Sequence, residues 1–218
     1  MAEPTILRAP NNFVTLSDNI GKRTQVYNGI LVNVSARPRN GLTIQGGLNS
    51  GATVQDSCGV RDASPESAAL NPYCRNAPGL VTRVTGLAAY TVPKIDVLFS
   101  TTFRSDQGAV LAANFNVPAA VVAQSLGRLP SGGAANLTVN LLEPGKKWGD
   151  RVNEIDIRVA KVLRFGGTRS NVGIDVYNLL NSDAILTYNQ TFIPGGQWLR
   201  PNTVLTPRFI KLSAQIDF

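Results

Sequence analysis

Ile210-Lys211-Leu212-Ser213-Ala214-Gln215-Ile216-Asp217-Phe218 places an apolar side chain at every even position and a polar one at every odd position. Successive side chains of an extended strand point to opposite faces, so this stretch is a strand with one apolar and one polar face. The same period recurs upstream. In 42–54 the even positions Leu42, Ile44, Leu48, Ala52 and Val54 oppose Thr43, Gln45, Asn49 and Thr53. Val26, Ile30, Val32, Val34 and Ala36 share a face against Gln25, Asn33, Ser35 and Arg37. Ile95, Val97, Phe99, Thr101 and Phe103 alternate with Asp96, Ser100, Thr102 and Arg104, with Leu98 as the exception. Ile155, Ile157 and Val159, then Val172, Ile174 and Val176, repeat the pattern. With a weaker strand over 80–92, seven long strands are expected.

The connections alternate short and long. A hairpin must bring both apolar sets to one face, which fixes the parity of each turn. Arg39-Asn40-Gly41 reads as a bulged hairpin with Gly41 in the left-handed position, pairing Ala36 with Ile44 and Val32 with Leu48. Pro93-Lys94 reads as an even turn that sets Val92 opposite Ile95 and Ala88 opposite Phe99, although Pro is unusual there and a four-residue turn keeps the same parity. The loop 165–168, bearing Gly166-Gly167, sets Val159 opposite Ile174 and Ile157 opposite Val176. The other connections, 56–79, 107–151 and 182–203, are long and rich in Pro, Gly, Asn and Ser.

Short turns at one end and long loops at the other, joining strands with one apolar face, predict an all-β fold. The expected class is an antiparallel segment of a transmembrane β-barrel, with short periplasmic turns, long extracellular loops, a polar lumen and contact with outer-membrane lipid. A secreted sandwich would show the same period with its apolar face turned inward. Residues 1–23 are expected to be an extracellular loop or strand remnant, and 24–218 the partial barrel. The rival is a complete small barrel of eight strands that recruits 6–16.

Composition excludes much else. The 218 residues contain no His, which removes Ser-His-Asp and Cys-His catalysis and His-based metal sites. Acidic residues are too dispersed for a paired-carboxylate hydrolase, and no Gly-rich phosphate loop is present, so neither an enzyme nor a cofactor is expected. The net charge of +7 comes from scattered cations, the longest runs being Lys22-Arg23 and Lys146-Lys147, which argues against nucleic acid as a partner. No window approaches a transmembrane helix, and Met1-Ala2-Glu3-Pro4-Thr5 does not open a secretory signal.

The ending from Arg208 to Phe218 resembles the last strand of Gram-negative outer-membrane proteins, which close on an aromatic residue preceded by alternating apolar ones. That resemblance implies recognition of Phe218, Ile216 and Leu212 by the barrel-assembly machinery. Asn171-Val172-Gly173-Ile174-Asp175-Val176-Tyr177-Asn178-Leu179-Leu180-Asn181 looks like the penultimate strand of TonB-dependent receptors, where Asn-Leu-Phe-Asn is common and Leu180 here replaces Phe. The hairpin from Thr24 to Gly47 is similar to those of receptors carrying a carboxypeptidase-regulatory-like N-terminal domain. The resemblance implies the C-terminal part of an outer-membrane transporter. Uptake of a still unidentified substrate would be energised by the TonB system acting through an N-terminal plug absent here. Such receptors have about twenty-two strands, so seven are expected to be roughly a third of the barrel. The alternative functions are a structural or adhesive small barrel and a sandwich binding module.

Several residues stand out singly. Cys58 and Cys74 lie in the first long loop and read as a loop-stapling disulfide in an oxidising compartment. Arg158 and Asp175 fall opposite each other on the lumen face as a cross-strand ion pair. Arg83 and Arg104 are opposed if Pro93-Lys94 is the turn, a like-charge lumen pair that needs an anion, a plug carboxylate or water between them. Trp148, Tyr188 and Trp198 lie in or beside long loops, as loop packing or an interfacial girdle.

Overall fold

The computed structural model describes residues 14–64, 72–130 and 133–217. In chain order the strands are β1 (Thr24–Arg39), β2 (Leu42–Asp56), β3 (Arg75–Asn76), β4 (Val81–Val92), β5 (Val97–Asp106) and β6 (Asn114–Pro118). They continue with β7 (Asn136–Asn140), β8 (Val152–Phe165), β9 (Thr168–Tyr177), β10 (Ile185–Tyr188), β11 (Pro201–Val204) and β12 (Phe209–Asp217). Two short helices, α1 (Cys58–Ala63) and α2 (Ala119–Leu126), lie in the long connections. The fold is all-β and antiparallel. No helix among the described residues is long and apolar enough to cross a membrane.

The seven long strands form one meander in the order β1-β2-β4-β5-β8-β9-β12, and β3 adds a short pairing to β2. β1 and β12 are the two ends of this order, so the sheet is open among the described residues. Its register carries one apolar set across all seven strands. Ala36 faces Ile44, which faces Ala88, then Thr101, Ile157, Val176 and Ile210 in turn. One row away, Phe99, Val159, Ile174 and Leu212 line up in the same way.

Each short turn has a local cause. Arg39 pairs with Leu42 around Asn40-Gly41, with Gly41 at φ +79°, and a bulge lies between Ala36 and Arg39. The turn is thus two residues rather than three. Without the bulge Ala36 would meet the polar Gln45; with it, Ala36 meets Ile44. Pro38, which has no N–H to offer a ladder, sits inside the irregular stretch.

The β4–β5 turn is 93–96, so Val92 faces Val97 and Ala88 faces Thr101, in place of the Ile95 and Phe99 expected from a two-residue turn. Proline explains the longer form. Two-residue hairpin turns need a positive φ at their first position, which the pyrrolidine ring forbids. Pro93 instead opens a wider turn closed by Asp96 at φ +49°, whose N–H donates to the Val92 carbonyl at 3.0 Å. Ile95 consequently lies in the turn and not on the strand. The third turn is tighter than expected. Phe165 pairs with Thr168, leaving only Gly166-Gly167, with Gly166 at φ +58°.

The three long connections carry structure of their own. β6 pairs with β7 and β10 with β11, and a parallel bridge between Asn114 and Thr191 joins the second connection to the third. The buried apolar side chains gather here: Leu111, Ala113 and Ala119, with a cluster of Val152, Ala184 and Leu205 at the base. Within the sheet the buried apolar residues described are Ala160 and, at the start of β8, Val152. The apolar sheet face is bare, with Ile174 49% and Leu212 76% exposed.

Of 1–23, the described part holds a 3-10 turn (Ser17–Asn19), and Gly21 lies against the backbone of Gly59 in α1, at the long-loop end. The rival eighth strand over 6–16 falls largely outside the described residues, and Val14 to Leu16 is not strand.

The four-residue turn is directly testable. Ala88→Cys combined with Thr101→Cys is expected to cross-link under mild oxidation, and Ala88→Cys with Phe99→Cys to remain reduced, read as a mobility shift on non-reducing gels.

Candidate functional site

The polar face of the sheet is where the charged residues meet. Moving the β4–β5 register by two residues leaves every side chain on its expected face but changes its neighbours. Arg83 is therefore not opposed to Arg104. One step beyond the Val84/Ser105 pair it meets Asp106, to which its Nε and one terminal N–H donate at 2.6 and 3.1 Å. Arg104 lies across from Glu154 and donates to it at 2.6 Å, while its Nε approaches Asp106 at 3.7 Å. Arg83, Asp106, Arg104 and Glu154 thus alternate in sign across β4, β5 and β8, and the expected need for an anion between two arginines disappears.

Arg158 and Asp175 are directly paired across β8 and β9. One guanidinium nitrogen donates to both carboxylate oxygens at 2.9 and 3.2 Å, and the Ser213 hydroxyl donates to Asp175 at 3.3 Å. The carboxylate is buried, at 7% side-chain exposure. Gly173 makes this possible, because a Cβ there would press on the Arg158 guanidinium, on Ala160 and on Ser213. Lys211 stands in register on the other side of Asp175.

At the long-loop end, the structure explains both asparagines of the Asn178-Leu179-Leu180-Asn181 motif. Asn178 is 1% exposed and adopts φ +49°, a region Asn enters more readily than most residues. Its side-chain N–H groups donate to the carbonyls of Ser182 and Thr206 at 2.8 Å each, and its oxygen accepts from the Ser182 N–H at 2.8 Å. Its own N–H donates to Asp156 at 2.9 Å. Asn181, at φ +51°, accepts from the Arg208 N–H at 3.0 Å. Together they pin both ends of the 182–206 connection to the sheet.

Cys58 and Cys74 are bonded, with Cα atoms 4.6 Å apart. The bond closes the base of the first connection beside Ser57, whose N–H and hydroxyl both donate to the Cys74 carbonyl. Trp148 donates to the Gly145 carbonyl and Trp198 to that of Ala112, while the Tyr188 hydroxyl accepts from the Asp150 N–H. Tyr188 and Trp198 thus tie the third connection to the second, whereas Trp148 closes a bond within the second. Leu212 and Ile216 lie on the bare apolar face, at the β12 edge; Phe218 lies outside the described residues.

Neither Asp106 nor Glu154 stands out in the sequence, and Asn178 does so only as the first residue of the Asn178-Leu179-Leu180-Asn181 motif. The two carboxylates carried a signal, since both sit on the polar face of alternating strands, but their partners depend on the turn length. Among the described residues no group of three or more His, Cys, Asp or Glu is placed to hold a metal ion. Comparison with protein-family models, curated proteins and solved structures finds no match.

Two outcomes follow from these contacts. Asn178→Ala is expected to cost about 2 kcal/mol, because the three backbone groups of Ser182 and Thr206 that this buried side chain holds lose their partner, read as a lower melting temperature with faster protease cleavage within 182–206. Replacing Cys58 and Cys74 by Ser is expected to weaken the first connection by about 3 kcal/mol in the loop-entropy account, read as new cleavage within 57–79 and an unchanged β-sheet circular dichroism signal.

Proposed function

We propose that this sheet is part of the wall of a Gram-negative outer-membrane β-barrel, and that the chain serves as the C-terminal part of a TonB-dependent-receptor-like transporter. The observation that carries the reading is the bare apolar face, continuous in register over seven strands. At least a dozen large apolar side chains there are more than a third exposed. Covering them is worth on the order of 20 kcal/mol, more than the whole stability of a typical domain. Lipid would supply that cover. A sandwich would need a second sheet against this face, and the described residues hold none.

The face has the dimensions and borders of a membrane belt. From Val26 to Ala36 the strand runs roughly 33 Å, or about 23 Å of height at a tilt near 45°, against an apolar band of ~25 Å. Polar side chains close it at the long-loop end: Ser50 bonds Thr82 at 2.8 Å, and Arg151 donates to Ser105 and to the Thr82 carbonyl. At the short-turn end Tyr90 sits beneath the Arg39 guanidinium, 4.4 Å from the ring centre, in keeping with the aromatic girdles of such barrels. The outer edges of β1 and β12 are long and unpaired among the described residues, a liability in water that further strands would remove.

In this reading the ion-paired face lines the lumen, the long connections face outward, and the barrel-assembly machinery reads Leu212, Ile216 and Phe218. Energised uptake comes from the resemblance, with the TonB system acting through an N-terminal plug.

The test is side-specific labelling in cells. With the full-length protein in the outer membrane, a cysteine placed at Ile174 is expected to react with a lipid-soluble maleimide and resist a charged one, and a cysteine at Lys211 to do the reverse. Recovery of the chain as a detergent-free soluble monomer would overturn the reading. Deleting Phe218 is expected to lower the amount assembled in the membrane; unchanged levels would remove the role assigned to the terminal strand.

A further inference from the structure

The polar face has two unlike halves. From β4 to β12 it is charged, and Arg83, Arg104 and Arg158 each hold a carboxylate. On β1 and β2 the polar-face positions within 25–35 and 43–55 contain no charged side chain at all; they carry amides, hydroxyls, glycine, Leu31 and Tyr27. Asn33, Ser35, Gln45 and Thr85 make no side-chain hydrogen bond among the described residues. Their donors and acceptors face an open groove of about 550 Å³ floored by Gly46, Gly47 and Gly86.

Beside it lies a second groove of about 480 Å³, which Tyr27 borders together with Asn49, Thr53 and Arg83. Gly29 and Gly51 are directly opposed, and the Tyr27 ring lies across both, where a Cβ on either would strike it. The hydroxyl donates to Asn49 at 3.4 Å, which holds the ring in place. One face of the ring therefore rests on glycine backbone, and the residue remains 59% exposed.

We propose that this half of the face is a binding track for a neutral oligosaccharide. A pyranose presents a C–H face that stacks on an aromatic ring, and a rim of hydroxyls that both donate and accept. Amides and hydroxyls without partners match that rim. Within 25–35 and 43–55 an anionic ligand would find no cation, because Arg37 and Arg39 lie beyond Ser35 toward the short turn and the Arg83 beside the second groove is held by Asp106; an apolar ligand would strand the amides. Each groove is within the size range of ligand clefts, and Tyr27 to Ser35 covers roughly 26 Å of strand, which fits a chain of sugars better than a single ring. The inference rests on the barrel reading only in taking this face as the lumen.

The test uses the full chain in detergent micelles with maltohexaose, cellohexaose, xylohexaose and mannohexaose, and hexagalacturonate as the acidic counterpart, followed by calorimetry and saturation-transfer NMR. At least one neutral hexaose is expected to bind, with affinity reduced about tenfold by Tyr27→Ala and largely kept by Tyr27→Phe, since stacking is lost only in the first. Asn33→Ala with Gln45→Ala, both exposed positions, is expected to weaken the same ligand, and this pair carries the test should Tyr27→Ala fail to fold. Absence of binding by all four neutral hexaoses would overturn the proposal, as would binding that ignores these substitutions or hexagalacturonate binding as tightly. Correct labelling of Ile174 and Lys211 cysteines without sugar binding would sink this inference alone; sugar binding by a water-soluble chain would sink the barrel reading and leave the track as a surface site.

Discussion

Cross-strand parity is the constraint on which the rest of this structure depends. Side chains alternate with a period of two, so a slip of one residue at any turn would send the next strand's apolar set to the polar face. Three local devices prevent this: the bulge between Ala36 and Arg39, the four-residue turn opened by Pro93, and the Gly166-Gly167 turn. Each absorbs whatever length its sequence imposes and returns the next strand on the same side. The bulge is the clearest case, because the tight Asn40-Gly41 turn by itself has the wrong parity.

A sheet built this way has two faces of different character and little interior. Most of the buried apolar residues sit among the long connections or where they meet the sheet, where Val152, Ala184 and Leu205 pack together and Asn178 ties the ends of 182–206 to β9. The connections thus form a hydrogen-bonded layer at one end of the strands, bridged from β6 to the segment before Phe192. The sheet's apolar face takes its stabilisation from whatever covers it, and its polar face is held by ion pairs whose members come from different strands. Both the proposed membrane setting and the proposed sugar track follow from that division of faces.

Much of the fold was legible in residue order. The seven long strands, the three short turns and the apolar set of each strand could be read from alternation and from Gly and Pro placement, because these depend on neighbours within a few positions. The Arg158–Asp175 pairing was legible too, since the 165–168 loop admitted one register. The Arg83–Asp106 pair was not. Two-residue and four-residue turns at Pro93 have the same parity and satisfy the same hydrophobic pattern, yet they exchange a like-charge pair for an ion pair.

By itself, then, the sequence determined which side of each strand is apolar, where the chain reverses, and that the chain holds no histidine. These are local properties, set by backbone geometry and side-chain type. Tertiary structure decided which charges meet, that Tyr27 lies over Gly29 and Gly51, and that Asn178 clamps a distant connection at Thr206. Such contacts join residues far apart in the chain, and their partners are fixed only when the offset of each turn, and not merely its parity, is set.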